Sequence, residues 1–537
     1  MKKAIKEMFS IKMIGIVAFY MFSLSISAFA ADYYVKTPAN GGNDATSGLN
    51  WTAAKATIGA AMALVDGSDT IHVAAGTYNE KVAFDESNDN QLLGGYPAGG
   101  EGAQEPWNHV TAIDGTGLAS GPMISIPSGD NGFSGIVVDG FTIRNGTNTG
   151  YGGAGIESYS LGVSITRNII EDNQATGDYG LSGGIYFFGQ LYDDGRPVIE
   201  ENIIRNNSAA FVGGIYLEGA AGKTDNYVAY MVNNLIAGNE STYTDGGVWG
   251  SGTGGIVVFY PASASMVNCT LADNTATHST TAVYGIHVGG YTNSEKGILA
   301  IANSIIWHPS GDDILLGSYG TLWMAYCDVE DSGNAGGTVI SEPPDFVGGT
   351  NYHLTADSPC IDAGANQGTV VTSTLTNKPS LATITWGDGI HDLHNKWESL
   401  NVVSSAVYGH LHATYPSDSD VEKVSPPLDI TTYNASGLNY HDLYVTFMSG
   451  QYIFFQGLNG YYGAWRVDSI NSTFKLLSGQ TYFQCNGSAN FDAGIRDNDL
   501  EGNVRLFEGG LCEMGAYEYI PKENKGTIAP LFMLLLD

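Results

Sequence analysis

From about residue 140 onward, short apolar runs sit between asparagines and glycines and return in the same order. "RNIIEDNQATGDYGLSGGIYFF", Arg167 to Phe188, is followed by "ENIIRNNSAAFVGGIYL" from Glu201. It returns from Asn233 as "NNLIAGNESTYTDGG", with "TGGIVVF" downstream, and more loosely as "NCTLADNTATHSTTAVYGIHV" from Asn268. "GFTIRNG" from Gly140 and "YCDVEDSG" from Tyr326 are an earlier and a later copy. Aligning the first asparagine of each phrase gives Asn168, Asn202, Asn234, Asn268 and Asn303, and the spacing wanders between roughly 24 and 35 residues.

The period selects among repeat architectures. Apolar runs of three to five residues between glycines and asparagines are too short for helical repeats. Leucine is scarce at the recurring positions, against leucine-rich repeats. A propeller blade needs four strands per period, more than each phrase holds. Two or three short strands per repeat fit a parallel β-helix, in which each repeat is one coil stacked about 4.8 Å above the last. Aligned asparagines then bond along the stack as a ladder at a bend between strands, satisfying backbone groups. The Gly-Gly pair is expected to supply backbone freedom at another corner, and the repeated Ile and Val to fill the interior. Recurrence alone therefore makes neither Asn168 nor Gly183 catalytic.

Composition agrees. The 537 residues include 72 glycines, only 14% are charged, and 43% are hydrophobic, which excludes a disordered chain and favours an all-β fold. Lys2, Lys3, Lys6 and Lys12, the apolar "MIGIVAFYMF", and Ala28 and Ala30 before Ala31 form a bacterial export signal; retention as an anchor is the weaker alternative. The formal charge of −33 becomes more acidic once that lysine-rich segment is removed. Such a surface repels nucleic acid and offers carboxylates to calcium. Five cysteines in a chain this long are no disulfide scaffold. Cys269 and Cys327 fall about two coils apart, roughly 9–10 Å, which is beyond disulfide reach and implies free buried thiols. The C-terminal "KGTIAPLFMLLLD" is too short to span a bilayer and reads equally as a cap, an attachment signal or a tail.

"DYYVKTPANGGNDATSGLNWTAAKATIGAAMALVDGSDTIHVAAGTYNEKV" resembles the opening of bacterial right-handed parallel β-helix proteins of the pectate-lyase-like superfamily. "DYYVK" makes a strand, and "WTAAKATIGAAMALV" is an amphipathic helix. Its Ala56, Ile58, Ala60, Ala61 and Leu64 are placed to cover one end of the solenoid. "SPCIDAGAN" at Ser358–Asn366 and "DLEGNVRLFEGGLCEMGAYEY" at Asp499–Tyr519 resemble the two halves of the choice-of-anchor Q module, here separated by a long insertion. If the halves pair, the resemblance brings Cys360 and Cys512 within reach of a disulfide. Within the insertion, strands rich in Tyr452, Phe454, Phe455, Tyr461, Tyr462 and Trp465 look like small β-barrel modules of some phage structural proteins. Those aromatics form either the barrel core, as their alternation favours, or a sugar-stacking platform.

The superfamily resemblance specifies fold better than activity. It implies carboxylates holding calcium against a uronate and an arginine or lysine abstracting the proton beside that acid. The polygalacturonase Gly-His-Gly stretch is missing. Basic candidates on the coils are Arg144, Arg167, Arg196, Arg205 and Lys223. "YDDGR", Tyr192 to Arg196, joins a base to two carboxylates on an expanded loop, so Arg196 is the candidate catalytic base. Asp193, Asp194 and Glu171 are the candidate calcium ligands. The competing meaning of "YDDGR", the more frequent one for Asp-Gly, is a turn neutralised by Arg196. His391, His394, His410 and His412 with Asp388 and Asp392 suggest a transition-metal site only loosely, and surface histidines are the better reading. No nucleotide-binding motif is visible.

The expectation is an all-β, right-handed parallel β-helix (solenoid) with an N-terminal helical cap and a β-rich C-terminal insertion. Its parts are a signal peptide, 1–30; the capped β-helix, 31–365; an insertion with a barrel-like module, 366–497; a closing segment, 498–521; and a tail, 522–537. The expected protein is monomeric, secreted or at the cell surface, and engages an extracellular polysaccharide or a cell-surface component. It binds no nucleic acid and no nucleotide. The leading reading is a polysaccharide-engaging β-helix, extending to calcium-assisted, pectate-lyase-like cleavage of uronate polysaccharides; the alternative is a non-catalytic surface adhesin or structural β-helix protein.

Overall fold

The computed structural model describes residues 30–365 apart from 86–89, 129–134, 178, 190–196, 221–226, 243–251, 261, 278–281, 293–294 and 331–338. Beyond them it describes the backbone of strands within 366–492, and residues 499–501 and 511–519. Residues 1–29, which cover nearly all of the expected export signal, and the "YDDGR" stretch, Tyr192 to Arg196, lie outside the described residues.

Three long parallel sheets run the length of the coils. The first extends from Asp32–Val35 to Gly320–Ala325. The second stacks ten strands, from Gly76–Tyr78 to Val339–Ile340. The third runs from Val82–Ala83 through Ile156–Ser158, Ile185–Gly189, Ile215–Gly219 and Ile256–Phe259 to Asp312–Leu316. These stacked, all-parallel sheets are typical of a right-handed parallel β-helix. Alternation sends one set of side chains inward, where Ile156, Ile185, Ile215, Ile256 and Ile286 join one continuous core with Ile165, Ile199, Ile170 and Ile204.

The corners explain the repeating asparagines. Arg167, Glu201, Asn233, Asn268 and Asn303 occupy the left-handed region, with φ between 50° and 55°. The residue after each turns into the stack: Asn168 donates to Asn202 Oδ1 (3.2 Å) and Asn202 to Asn234 Oδ1 (3.1 Å). One coil on, the ladder position holds Cys269, and the next holds Ser304, whose Oγ accepts from the Cys269 N–H. Asn268 and Asn303 thus belong to the turn column and not to the ladder. A second ladder, Asn173–Asn207–Asn239–Asn274, has links of 2.9–3.0 Å and ends on the ring of His308. Each member also donates to a carbonyl of the preceding coil, as Asn207 does to Ile170, so buried backbone acceptors at the bends are satisfied.

The paired glycines have a different cause from the one expected. Gly183, Gly184, Gly213 and Gly214 do not have positive φ. A Cβ at Gly184 would come within 2.5 Å of the Gly214 carbonyl, and one at Gly214 would strike that of Gly255. Close stacking of backbone on backbone, not conformational freedom, excludes a side chain there.

The long amphipathic helix expected over the N-terminal region is reduced to a 3-10 turn, Trp51–Ala53, and a five-residue helix, Ile58–Met62. Lys55 is drawn into a backbone bridge with the first strand, and the Asp44 carboxylate accepts from the N–H groups of Ala56 and Thr57. Helix can begin only after Thr57, whose hydroxyl accepts from Ala60 N. Ile58 and Ala61 are nevertheless fully buried in the main core.

At the other end, Gly364–Ala365 pairs antiparallel with Leu511–Cys512, so the two segments that flank the insertion meet. Met514 N donates to Cys360 O, Gly515 N to Asn303 O and Ala516 N to Thr270 Oγ1, which seats this segment against the turn column. Cys360 is a free, buried thiol donating to Asp328 Oδ2 at 3.1 Å, so the disulfide with Cys512 is not formed. Cys269 and Cys327 are also buried, and neither forms a disulfide. Between Gln367 and Asp492 the strand backbones pair antiparallel, in sheets of seven and three strands. The aromatic side chains and histidines singled out in that insertion lie outside the described residues.

Candidate functional site

Outward-facing positions of the third sheet build a second, smaller cluster on the outside of the coils. Glu157, Tyr186 and Tyr216 stand in one register column, continued by Val257 and His287. Two residues further along the strands, Phe188 pairs with Glu218, and Phe259 stands one coil beyond. Because strand side chains alternate, both columns face the same way, opposite to Ile185 and Phe187 in the core.

The rings on this face meet in groups. Tyr186 and Tyr216 have centroids 5.6 Å apart, Tyr159 lies 6.0 Å from Phe188, and Phe259 meets Tyr291 edge-on at 5.0 Å. These are spacings at which aromatic rings attract. Tyr151 and Tyr179 pair at 6.5 Å and stay 56% and 60% exposed, so they rise as a rim. Between rim and wall lies a cavity of about 120 Å³ lined by Tyr151, Tyr179, Leu181, Phe211, Val212, Tyr216, Glu218, Val257, Phe259 and His287.

Its polar groups are few and their ionisation is held back. Burial pushes the Glu218 carboxyl up to about 7, against the opposing pull of hydrogen bonds from Tyr216 and Tyr186. The Tyr186 hydroxyl lies 3.4 Å from Glu218 Oε2. Burial also raises Glu157, whose Oε1 accepts from Gly153 N, and lowers His287 to about 4. The tyrosine hydroxyls of Tyr186 and Tyr216 are pushed up by burial and by Glu218. At neutral pH the cavity thus presents a neutral imidazole, tyrosine hydroxyls and a carboxyl whose ionisation burial holds back.

The sequence-derived candidates fall elsewhere. Arg196, Asp193, Asp194 and Lys223 lie outside the described residues. Glu171 Oε2 accepts from Arg205 Nη2 at 2.7 Å on the second sheet, away from the aromatic columns. Arg144 pairs with Asp114 at 2.8 Å, and Arg167 with Asp139, whose other bond to Arg167 Nε is 2.9 Å. Among the described residues, no group of three or more His, Cys, Asp or Glu is arranged to hold a metal ion.

Several residues of this face are present in the repeated phrase, of which only the recurring Ile and Val are assigned from sequence, to the interior. "GGIYFF", "GGIYLEG", "GGIVVF" and "GIHV" place Tyr186, Tyr216, Val257 and His287 immediately after the inward isoleucine. Period-two alternation from that isoleucine is the signal that sends them out.

No family model matches the sequence, and no curated protein matches it. Among solved structures, a pectin methylesterase from Aspergillus niger is 14% identical with a TM-score of 0.29, over 56% of this chain and 78% of that one. The pectate lyase Pel9A is 14% identical with a TM-score of 0.30, over 64% of this chain and 94% of that one. At these scores the fold assignment rests on the strand pairing of this chain itself.

Proposed function

We propose that this is an exported protein that engages an extracellular polysaccharide in the aromatic groove on the outer face of the third sheet. The observation that carries the reading is the cavity of about 120 Å³ walled by Tyr216 and Phe259 and rimmed by the exposed Tyr151 and Tyr179. Aromatic faces stack on the apolar faces of sugar rings, while tyrosine hydroxyls and a carboxyl exchange hydrogen bonds with sugar hydroxyls. A stack of coils suits a polymer, since one outward column runs along successive coils through Glu157, Tyr186, Tyr216, Val257 and His287.

Binding without catalysis is the form the described groove supports. Among the described residues no lysine or arginine lines the cavity, and Arg144, Arg167 and Arg205 are each held by a carboxylate. The calcium-assisted lyase reading rests on Arg196 with Asp193 and Asp194, in the stretch that follows the strand Ile185–Gly189 in sequence. One experiment separates the two. The protein is incubated with pectate, alginate and neutral polysaccharides, with calcium or a chelator. Retention is scored by affinity electrophoresis and elimination by ultraviolet absorbance of the unsaturated product. Retention without product supports the binding protein. Calcium-dependent product that Arg196→Ala abolishes supports the lyase, and no retention on any polymer rejects the groove as a glycan site.

A further inference from the structure

We infer that the groove takes a neutral glycan and discriminates against uronates, an inference that rests on the glycan-binding reading above. A uronate carries one carboxylate per acidic sugar and needs a cation opposite it. Among the described residues lining the cavity, none is lysine or arginine, and His287 is held neutral by burial. What the wall offers is a carboxyl, Glu218, with Glu157 two coils away in the neighbouring column. Each step of ionisation at these groups makes the groove more hostile to an anion. The formal charge of −33 adds a repulsive field to any polyanion approaching.

For a neutral sugar the same groups are suited. In its protonated form Glu218 donates one hydrogen bond and still accepts from Tyr186, while the tyrosine hydroxyls both donate and accept. The buried carboxyl therefore pairs with sugar hydroxyls without a counter-ion. Among the described residues, Tyr151, Tyr186 and Tyr216 act on Glu218, and His287 shares the cavity wall with it. Burial holds Tyr151, Tyr186 and Tyr216 above the ordinary tyrosine range and His287 near 4, so among these groups Glu218, pushed up to about 7, is the one that changes charge between pH 6 and 8.5.

The test is affinity electrophoresis of the full chain at pH 6 and pH 8.5. The gels contain xylan, galactan, mannan or β-glucan in one set and polygalacturonate or alginate in the other. We expect retention by at least one neutral polymer and by neither uronate. The rim variant Tyr179→Ala, whose ring is exposed and leaves the core intact, weakens that retention about tenfold. Wild-type affinity falls about tenfold or more from pH 6 to pH 8.5, and Glu218→Gln removes that dependence while Glu157→Gln leaves it. Retention by a uronate that Tyr179→Ala weakens would overturn the neutral-ligand inference while keeping the groove. Retention that neither Tyr179→Ala nor Glu218→Gln alters would place binding elsewhere and overturn both. Failure to bind any polymer would also overturn both.

Discussion

The side-chain amide of Asn234 points at the sulfur of Cys269, 3.8 Å away, where every earlier coil of that ladder offers an asparagine oxygen. Cys269 Sγ in turn lies 3.7 Å from Met231 O, the carbonyl equivalent to the Ile199 O that Asn234 reaches at 2.7 Å. The site is shaped for an amide and holds a thiol.

Cys269→Asn is therefore expected to extend the ladder by one rung and to stabilise the protein by about 1 kcal/mol, the net value of a typical hydrogen bond. Asn202→Ala has the opposite effect. It strips Asn168 of the acceptor for both its amide and its N–H, and should cost about 2–4 kcal/mol through buried unsatisfied groups and a cavity. Chemical denaturation of both variants checks the pair. A destabilised Cys269→Asn would mean that the extra volume outweighs the bonds gained.

Gly214→Ala should destabilise by about 1–3 kcal/mol or more, because its methyl would meet the Gly255 carbonyl of the next coil. Gly99→Ala is the control: nothing lies within 4 Å of the new methyl, and its φ is not positive. The melting temperature of the first should fall well below that of the second.

Glu218 gives stability a definite pH trend. Its folded-state value of about 7 lies above the ordinary 4.5, so the folded protein holds a proton that the unfolded chain has released. Stability then falls as pH rises from about 4.5 through 7, by on the order of 3 kcal/mol from this group when complete. Glu218→Gln should flatten that part of the profile and melt higher than wild type at pH 8. A wild-type melting curve unchanged between pH 5 and pH 8 would contradict the burial argument. Asp328 shifts the same way, to about 6, with burial as the leading cause.

Cys360 should be chemically silent. Burial and the neighbouring Asp328 both push its thiol well up, so almost no thiolate is available near neutral pH. Iodoacetamide at pH 8 should label it only after denaturation, as read by mass spectrometry of the peptide. Labelling in the folded protein would show that the closing segment opens.

The solenoid was legible because its cause is periodic: asparagine, isoleucine and glycine recur where corners, core and close stacking demand them. The register was legible only in part. Asn268 and Asn303 look like ladder residues by alignment, yet a shift of one residue makes them left-handed turns, since both positions accept asparagine for different physical reasons. The cap was overread because helical periodicity over Trp51–Val65 carries no trace of the Lys55 bridge that interrupts it. The groove was missed because a search for bases beside carboxylates passes over tyrosines, and because an outward tyrosine among apolar residues looks like core until strand parity is counted from Ile185 and Ile215.

The stacking of Tyr186 on Tyr216, one coil apart, makes the protein a ruler graduated in steps of about 4.8 Å. Loss or gain of one repeat by duplication would move every downstream mark by a single step and leave each coil's own contacts unchanged. Under the proposed glycan reading, the length of the bound segment and the affinity per contact would be separately adjustable: the first by counting coils, the second by changing one outward residue at a time.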